Sequence, residues 1–238
     1  MEKKIFYAAH AIPGTATLEL DPEESYHGVK VLRCRKDENV EVINGKGARF
    51  LCQVTIADAK KLRLKVISAN IEDRPQDTIS IAISILKKRE PLEWFLEKAV
   101  ELGASKIFFI TSQYAEKSRL DLIRIQRLAI SAMKQSGNTW LPQISAGESF
   151  ENIMIGGDNG LKYIAHCHDT HLPHLSNALK SQNDVIIFIG PEGDFSLKEI
   201  EFARTNGAVE VNLGDLRLRA ETAALYALIC TRLQFRSI

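Results

Sequence analysis

The chain has 238 residues, 45% hydrophobic and 26% charged, with a formal net charge of +1, an ordinary globular composition that excludes a disordered or low-complexity protein. No run approaches the roughly 20 apolar residues of a membrane-spanning helix, and the start MEKKIFYAAHAIPG lacks the apolar stretch of a secretory signal. Four scattered cysteines with no CxxC pair exclude a disulfide framework, so a cytoplasmic protein with reduced thiols and no membrane partner is expected.

Up to about Asn70 the pattern is short and extended, with strands predicted at Ile5 to Ala8, Thr17 to Leu20, Val40 to Ile43, Phe50 to Ile56 and Leu62 to Ile67. Turn signals such as Asp21-Pro22 and Asn44-Gly45 separate them, and one or two helical turns are predicted around Glu23 to Leu32. This reads as a small β-barrel. Residues 1–70 hold 12 Lys and Arg against 9 Asp and Glu, and the remainder 19 against 21, an asymmetry that permits an RNA-facing first module. The polar stretch Glu72 to Asp77 reads as a linker, since it offers nothing to a core and Pro75 disfavours helix at Arg74.

From Thr78 the rhythm changes to apolar strand followed by amphipathic helix, the pattern of an α/β fold with a largely parallel sheet. Strands are predicted at Ile79 to Leu86, Lys106 to Thr111, Tyr163 to His166, Val185 to Ile189 and Val209 to Leu213. Helices fit Pro91 to Leu102, Asp121 to Gln135, Ser196 to Thr205 and Glu221 to Phe235. In such a sheet a nucleotide-like ligand is expected in the loops after the strands. Gly156-Gly157-Asp158-Asn159-Gly160 precedes a strand instead of following one, so it reads as a turn and not as a phosphate loop.

Two loops stand out. Gly190-Pro191-Glu192-Gly193-Asp194-Phe195 follows a buried strand and leads into a helix begun by Ser196, with Glu199 at capping-box spacing. Its glycines suit either a close ligand approach or a mere strand-to-helix turn. Gly214-Asp215-Leu216-Arg217-Leu218-Arg219-Ala220 runs straight into the last helix, placing Arg219 and Glu221 together at a helix entrance. Spacing alone is equally served by Glu221 complementing the helix dipole and Arg219 being a solvated or salt-bridged surface charge.

GPEGDFSLKEI, followed after a short strand by NLGDLRLRAETAALYAL, resembles the C-terminal signature of the RsmE-type 16S rRNA uracil-N3 methyltransferases in order and separation. The segment Lys98-Ala99-Val100-Glu101-Leu102-Gly103 is similar to that family's K-x-x-E-L-G, Glu116-Lys117-Ser118 to its E-R-S, and Gln135-Ser136-Gly137 with Pro142 to its Q-S-G-R-x-x-x-P. His27 to Arg33, with Val31-Leu32-Arg33 at its end, resembles its histidine-to-V-L-R helix, so the likeness spans nearly the whole chain. It departs from the family at Asp194, where a second glycine is commoner, at Asn138 for arginine, and at Lys117 for arginine.

The resemblance implies a PUA-like β-barrel at residues 1–72 and, at residues 73–238, a SPOUT methyltransferase domain with a C-terminal trefoil knot. It further implies a homodimer that uses S-adenosylmethionine to methylate N3 of one uridine in 16S rRNA of the small ribosomal subunit. Gly190, Pro191, Glu192, Gly193, Leu213, Gly214, Leu218, Arg219 and Thr222 are then expected at the cofactor, and Arg219 and Glu221 at the uracil. Arg219 suits the uracil because a guanidinium stays charged and stabilises the anion left when N3 loses its proton. Arg33, Arg35, Lys36, Lys87, Lys88 and Arg89 are the expected RNA contacts.

Two other classes of function compete. Asp194 in place of glycine favours a catalytically inert RNA-binding ribosome-assembly factor. The run His166-Cys167-His168-Asp169-Thr170-His171 with His174 is dense in zinc-ligand types, but Pro173 prevents one helical face from collecting them, so no metal is expected and the run reads as a loop near the cofactor that merely contains polar residues.

Overall fold

The computed structural model describes residues 4–115, 120–156, 160–169, 171–180 and 184–236. Glu116-Lys117-Ser118 and residues 157–159 of the glycine-rich turn lie outside them. Contacts divide the chain into a first unit, Met1–Arg74 with Ile130–Leu141, and a second, Pro75–Ala129 with Pro142–Ile238.

The first unit is a curled sheet of β1 (Ile5–Tyr7), β3 (Asn39–Ile43), β4 (Ala48–Ile56), β5 (Arg63–Ile71) and β2 (Thr17–Glu19), in that spatial order. Period-two alternation sends Ala48, Phe50, Cys52 and Val54 of β4 inward, onto a core with Phe6, Leu62 and Leu64. Burial pushes the Cys52 thiol up to about 12, so it is an inert filler. The expected helical turns are α1 (Pro22–Tyr26), whose first turn is capped by the Asp21 carboxylate accepting from Glu24 N–H at 2.8 Å, and a π-helical turn over His27–Val31. Glu72, read from sequence as the start of the linker, is fixed instead: its N–H donates to Gly47 C=O at 2.8 Å and its carboxylate accepts from buried Thr139 at 2.6 Å.

The second unit carries a six-stranded parallel sheet in the order β11 (Val209–Val211), β9 (Leu161–Ala165), β10 (Val185–Ile189), β6 (Ile79–Ser84), β7 (Lys106–Thr111) and β8 (Gln143–Ser149). Every residue of β6 and β10 is buried, as expected of central strands covered on both faces. α7 (Ala220–Arg236) packs on β6, β10 and α2 (Arg89–Glu101), while α4 (Phe150–Gly156) packs on β7, β8 and α6 (Leu197–Thr205). α3 (Leu122–Ser136) starts where Asp121 accepts from Ile123 N–H at 3.0 Å.

The chain passes β9 on its way from β10 to β11, and there two connections are laced together. Asn212 N–H donates to Pro173 C=O and Leu175 N–H to Asn212 C=O, both at 3.0 Å, just ahead of α5 (Leu175–Ala178) and of the run into α7. β8, α4 and α5 had no sequence expectation; β8 is an edge strand with polar residues and a bulge against β7 at Phe109/Ile110, which blurs its alternation.

Candidate functional site

β11, β9, β10 and β6 are neighbours and parallel, so their carboxyl ends open on one edge of the sheet. The loops that follow them therefore lie side by side: 212–219, 166–169 with 171–174, 190–196 and 85–88. Both motif loops are among them. They also touch, since Arg217 donates through Nη2 to Glu192 C=O at 3.4 Å and Lys87 N–H to the Glu192 carboxylate at 3.4 Å.

The 190–196 loop turns tightly on itself, with Asp194 N–H donating to Pro191 C=O at 2.9 Å. A Cβ on Gly190 would lie 3.0 Å from Phe195 N and 3.1 Å from the Asp194 carbonyl carbon, so this glycine serves the turn itself. Ser196 then caps α6 through a complete capping box with Glu199, as its spacing predicts. Phe195 is fully buried below the loop, 5.1 Å from the ring of Phe150, which also meets Phe188 at 5.5 Å.

The β9 loop carries no family motif and is expected from the sequence only as a polar loop near the cofactor; its hydrogen bonds are what the sequence does not show. His168 Nε2 lies 2.8 Å from Phe195 C=O, and because a carbonyl only accepts, that nitrogen carries the proton. His166 Nδ1 accepts from His168 N–H at 3.3 Å, so its Nε2 donates to Glu210 at 3.0 Å. Partial burial pushes the Cys167 thiol up and Asp194 adds to the rise, with Arg217 opposing, so it is no activated nucleophile. His174 N-caps α5 and meets the Tyr226 hydroxyl at 3.1 Å. Among the described residues no group of three or more His, Cys, Asp or Glu side chains is arranged to hold a metal. The histidine run is instead distributed among separate hydrogen bonds.

The 212–219 loop is largely exposed, with Leu216 at 82%. Gly214 adopts φ +109° with open space where a Cβ would sit, so backbone conformation, not crowding, calls for glycine there. Arg219 is exposed immediately before α7, its C=O accepting from Ala223 N–H at 2.8 Å, and Glu221 and Thr222 follow in the first turn. Among the described residues no ion pair joins Arg219 to Glu221 or to another carboxylate. Lys87 and Lys88 are exposed on the β6 loop and Arg89 begins α2, all in the second unit. Arg33, at φ +52°, Arg35 and Lys36 are exposed together on one loop of the first unit.

S-adenosylmethionine, which the resemblance calls for, combines a neutral purine, a ribose, a sulfonium and a charged amino acid. The edge offers matching chemistry: non-helical backbone and leucines at 213, 216 and 218 for a purine, and the groups of Glu192 and Arg217 for charge.

Comparison with known proteins agrees. The RNA methyltransferase domain family matches residues 72–232, and the RNA methyltransferase PUA domain family residues 20–67. Ribosomal RNA small subunit methyltransferase E of Rickettsia conorii is 26% identical over 98% of the chain and 96% of its own length. The structure of the probable rRNA-methyltransferase of Porphyromonas gingivalis is 34% identical, covers 95% of each chain and superposes with a TM-score of 0.87. A Legionella pneumophila structure, described as a methyltransferase in complex with S-adenosylmethionine, is 25% identical over 98% of each chain with a TM-score of 0.88.

Proposed function

This chain belongs to the RNA methyltransferase family, and we propose on that footing that it methylates N3 of one uridine in small-subunit ribosomal RNA from S-adenosylmethionine. One observation carries the reading: the GPEG loop and the LRLRAET loop, far apart in sequence, meet on one sheet edge through Arg217 and Glu192. When bound, S-adenosylmethionine supplies an electrophilic methyl group. The protein's task is then to hold the two reactants about 3 to 3.5 Å apart, and most of the rate gain is positional.

The backbone of Leu213, Gly214 and Leu218, with Thr222, surrounds the adenine, while Gly190, Pro191, Glu192 and Gly193 border the rest of the cofactor. Arg219 stabilises negative charge on the uracil as N3 gives up its proton, and Glu221 positions the base. The Asp194 carboxylate accepts from backbone amides of the loops themselves, at 2.7 Å from Phe195 and 2.8 Å from Cys167, so it lends no support to an inert assembly factor. Residues 1–72 form the RNA-binding barrel and 73–238 the knotted catalytic domain, with the lacing at Asn212 as the knot's crossing. Arg33, Arg35 and Lys36 on the barrel, and Lys87, Lys88 and Arg89 beside the cofactor edge, contact phosphates. Its substrate places the enzyme in the cytoplasm.

The test is direct. Incubated with S-adenosylmethionine and small subunits from cells lacking this gene, the protein should add one methyl group, which mass spectrometry of nuclease fragments locates on N3 of a uridine. The cofactor and S-adenosylhomocysteine should each raise thermal stability, by about 2.7 kcal/mol at a hundredfold excess over Kd. A protein that neither transfers a methyl group nor binds the cofactor would sink the proposal.

A homodimer is part of the same reading. Ala224, Leu225 and Leu228 of α7 are core, but Ile229 and Leu233 are 42% and 65% exposed beside Tyr226 at 37%. Such a stripe on an otherwise packed helix suits a self-complementary contact. Light scattering at micromolar concentration should give twice the chain mass, and Leu233→Glu should halve it; a monomeric wild type refutes the contact.

A further inference from the structure

Asp194 is one of three non-glycine residues with positive φ among the described residues, at +66°, a conformation that glycine adopts freely and that the commoner family pattern fills with glycine. A residue kept there against its backbone preference invites the question of what its side chain does. Its carboxylate joins two loops: Oδ1 accepts from Phe195 N–H at 2.7 Å, and Oδ2 accepts from Cys167 N–H, across from the β9 loop, at 2.8 Å. The connection is doubled by His168, whose Nε2 donates to Phe195 C=O at 2.8 Å and lies 3.9 Å from Asp194 Oδ2. The loop after β9 and the loop after β10 are thereby held at a fixed separation by a charge-assisted bond and a second donor beside it.

We infer that Asp194 is a positioning residue for S-adenosylmethionine: its carboxylate clamps the 166–168 loop to the 190–195 loop, so that the cofactor meets a site already formed. The inference rests on the proposed function, since it takes these loops to border the cofactor. Preorganised loops lose less freedom when the ligand arrives, so the clamp is read in affinity and not in the chemical step.

Full-length wild type, Asp194→Gly and Asp194→Asn are compared by calorimetric titration with S-adenosylmethionine, thermal melting without ligand, and methylation kinetics. Glycine suits the left-handed backbone, which offsets the two lost hydrogen bonds, so the Asp194→Gly melting point should stay within about 3 °C of wild type. Its Kd should rise about tenfold, equivalent to about 1.4 kcal/mol. KM for the cofactor should rise in parallel, with kcat at saturation within about threefold, because Asp194 touches no reacting atom. Asparagine tolerates positive φ and can keep its one acceptor oxygen on Cys167 N–H while losing the bond to Phe195 N–H, so Asp194→Asn should bind the cofactor several-fold more tightly than Asp194→Gly.

Three results overturn the clamp: Asp194→Gly binding as tightly as wild type, Asp194→Asn binding as weakly as Asp194→Gly, or an unliganded Asp194→Gly that melts far below wild type. A wild type that does not bind the cofactor overturns this inference together with the proposed function. Tight wild-type binding with an unaffected Asp194→Gly overturns the clamp alone.

Discussion

Arg219→Ala is expected to slow methyl transfer by about 10² to 10³, the usual cost of removing one preorganised electrostatic donor from a reacting site. The position supports so large an effect. Arg219 is exposed at the end of the 212–219 loop and, among the described residues, no carboxylate holds it. An exposed guanidinium at the edge where the family motif loops converge is available to a developing anion. Cofactor affinity should survive the substitution, because the adenine contacts are assigned to backbone groups. Arg219→Lys should rescue poorly, since an ammonium is a point charge without the planar fork of donors. Single-turnover methylation of small-subunit RNA beside cofactor titration separates these effects. Normal turnover in the alanine variant would remove Arg219 from the mechanism.

Phe195→Ala is expected to destabilise the second unit by about 3 to 5 kcal/mol, the range for deleting a fully buried aromatic side chain. Phe195 is 0% exposed and packs 5.1 Å from Phe150, inside a cluster that includes Phe188 and Ile186. Its ring anchors the 190–196 loop from below, while its own N–H and C=O carry the bonds to Asp194 and His168 above. Losing the ring should therefore loosen the cofactor edge as well as the core. At about 2 to 4 °C per kcal/mol for a unit of this size, the melting point should fall by about 10 °C. Leu197→Ala, two residues on and 70% exposed, should change stability by less than about 0.5 kcal/mol. Equal losses in the two variants would show that the aromatic cluster is not what holds this loop.

Much of the second unit was legible because its signals are local. The run Val185-Ile186-Ile187-Phe188-Ile189 is apolar at every position, as a strand buried on both faces must be, and β7 and β10 fall where they were predicted. Ser196 and Glu199 announced their capping box three residues apart. β8 was not legible, because an edge strand with Gly147 at φ +91° and a bulge beside Phe109 has neither regular alternation nor an apolar run. Glu72 read as linker because its partners, Gly47 and Thr139, are distant in sequence.

The candidate site divides in the same way. The sequence by itself determined the two motif loops, the arginine at the last helix entrance and the family they resemble, because each lies within a dozen contiguous residues whose order carries the information. Only the tertiary structure decided how the loop after β9 is bonded to them, that His166, His168 and His174 make separate hydrogen bonds, and that Asp194 ties two loops together. The physical reason is the strand order. β9 lies between β11 and β10, so residues near 167, 194 and 217 become neighbours through backbone pairing of strands that no local pattern in the chain connects.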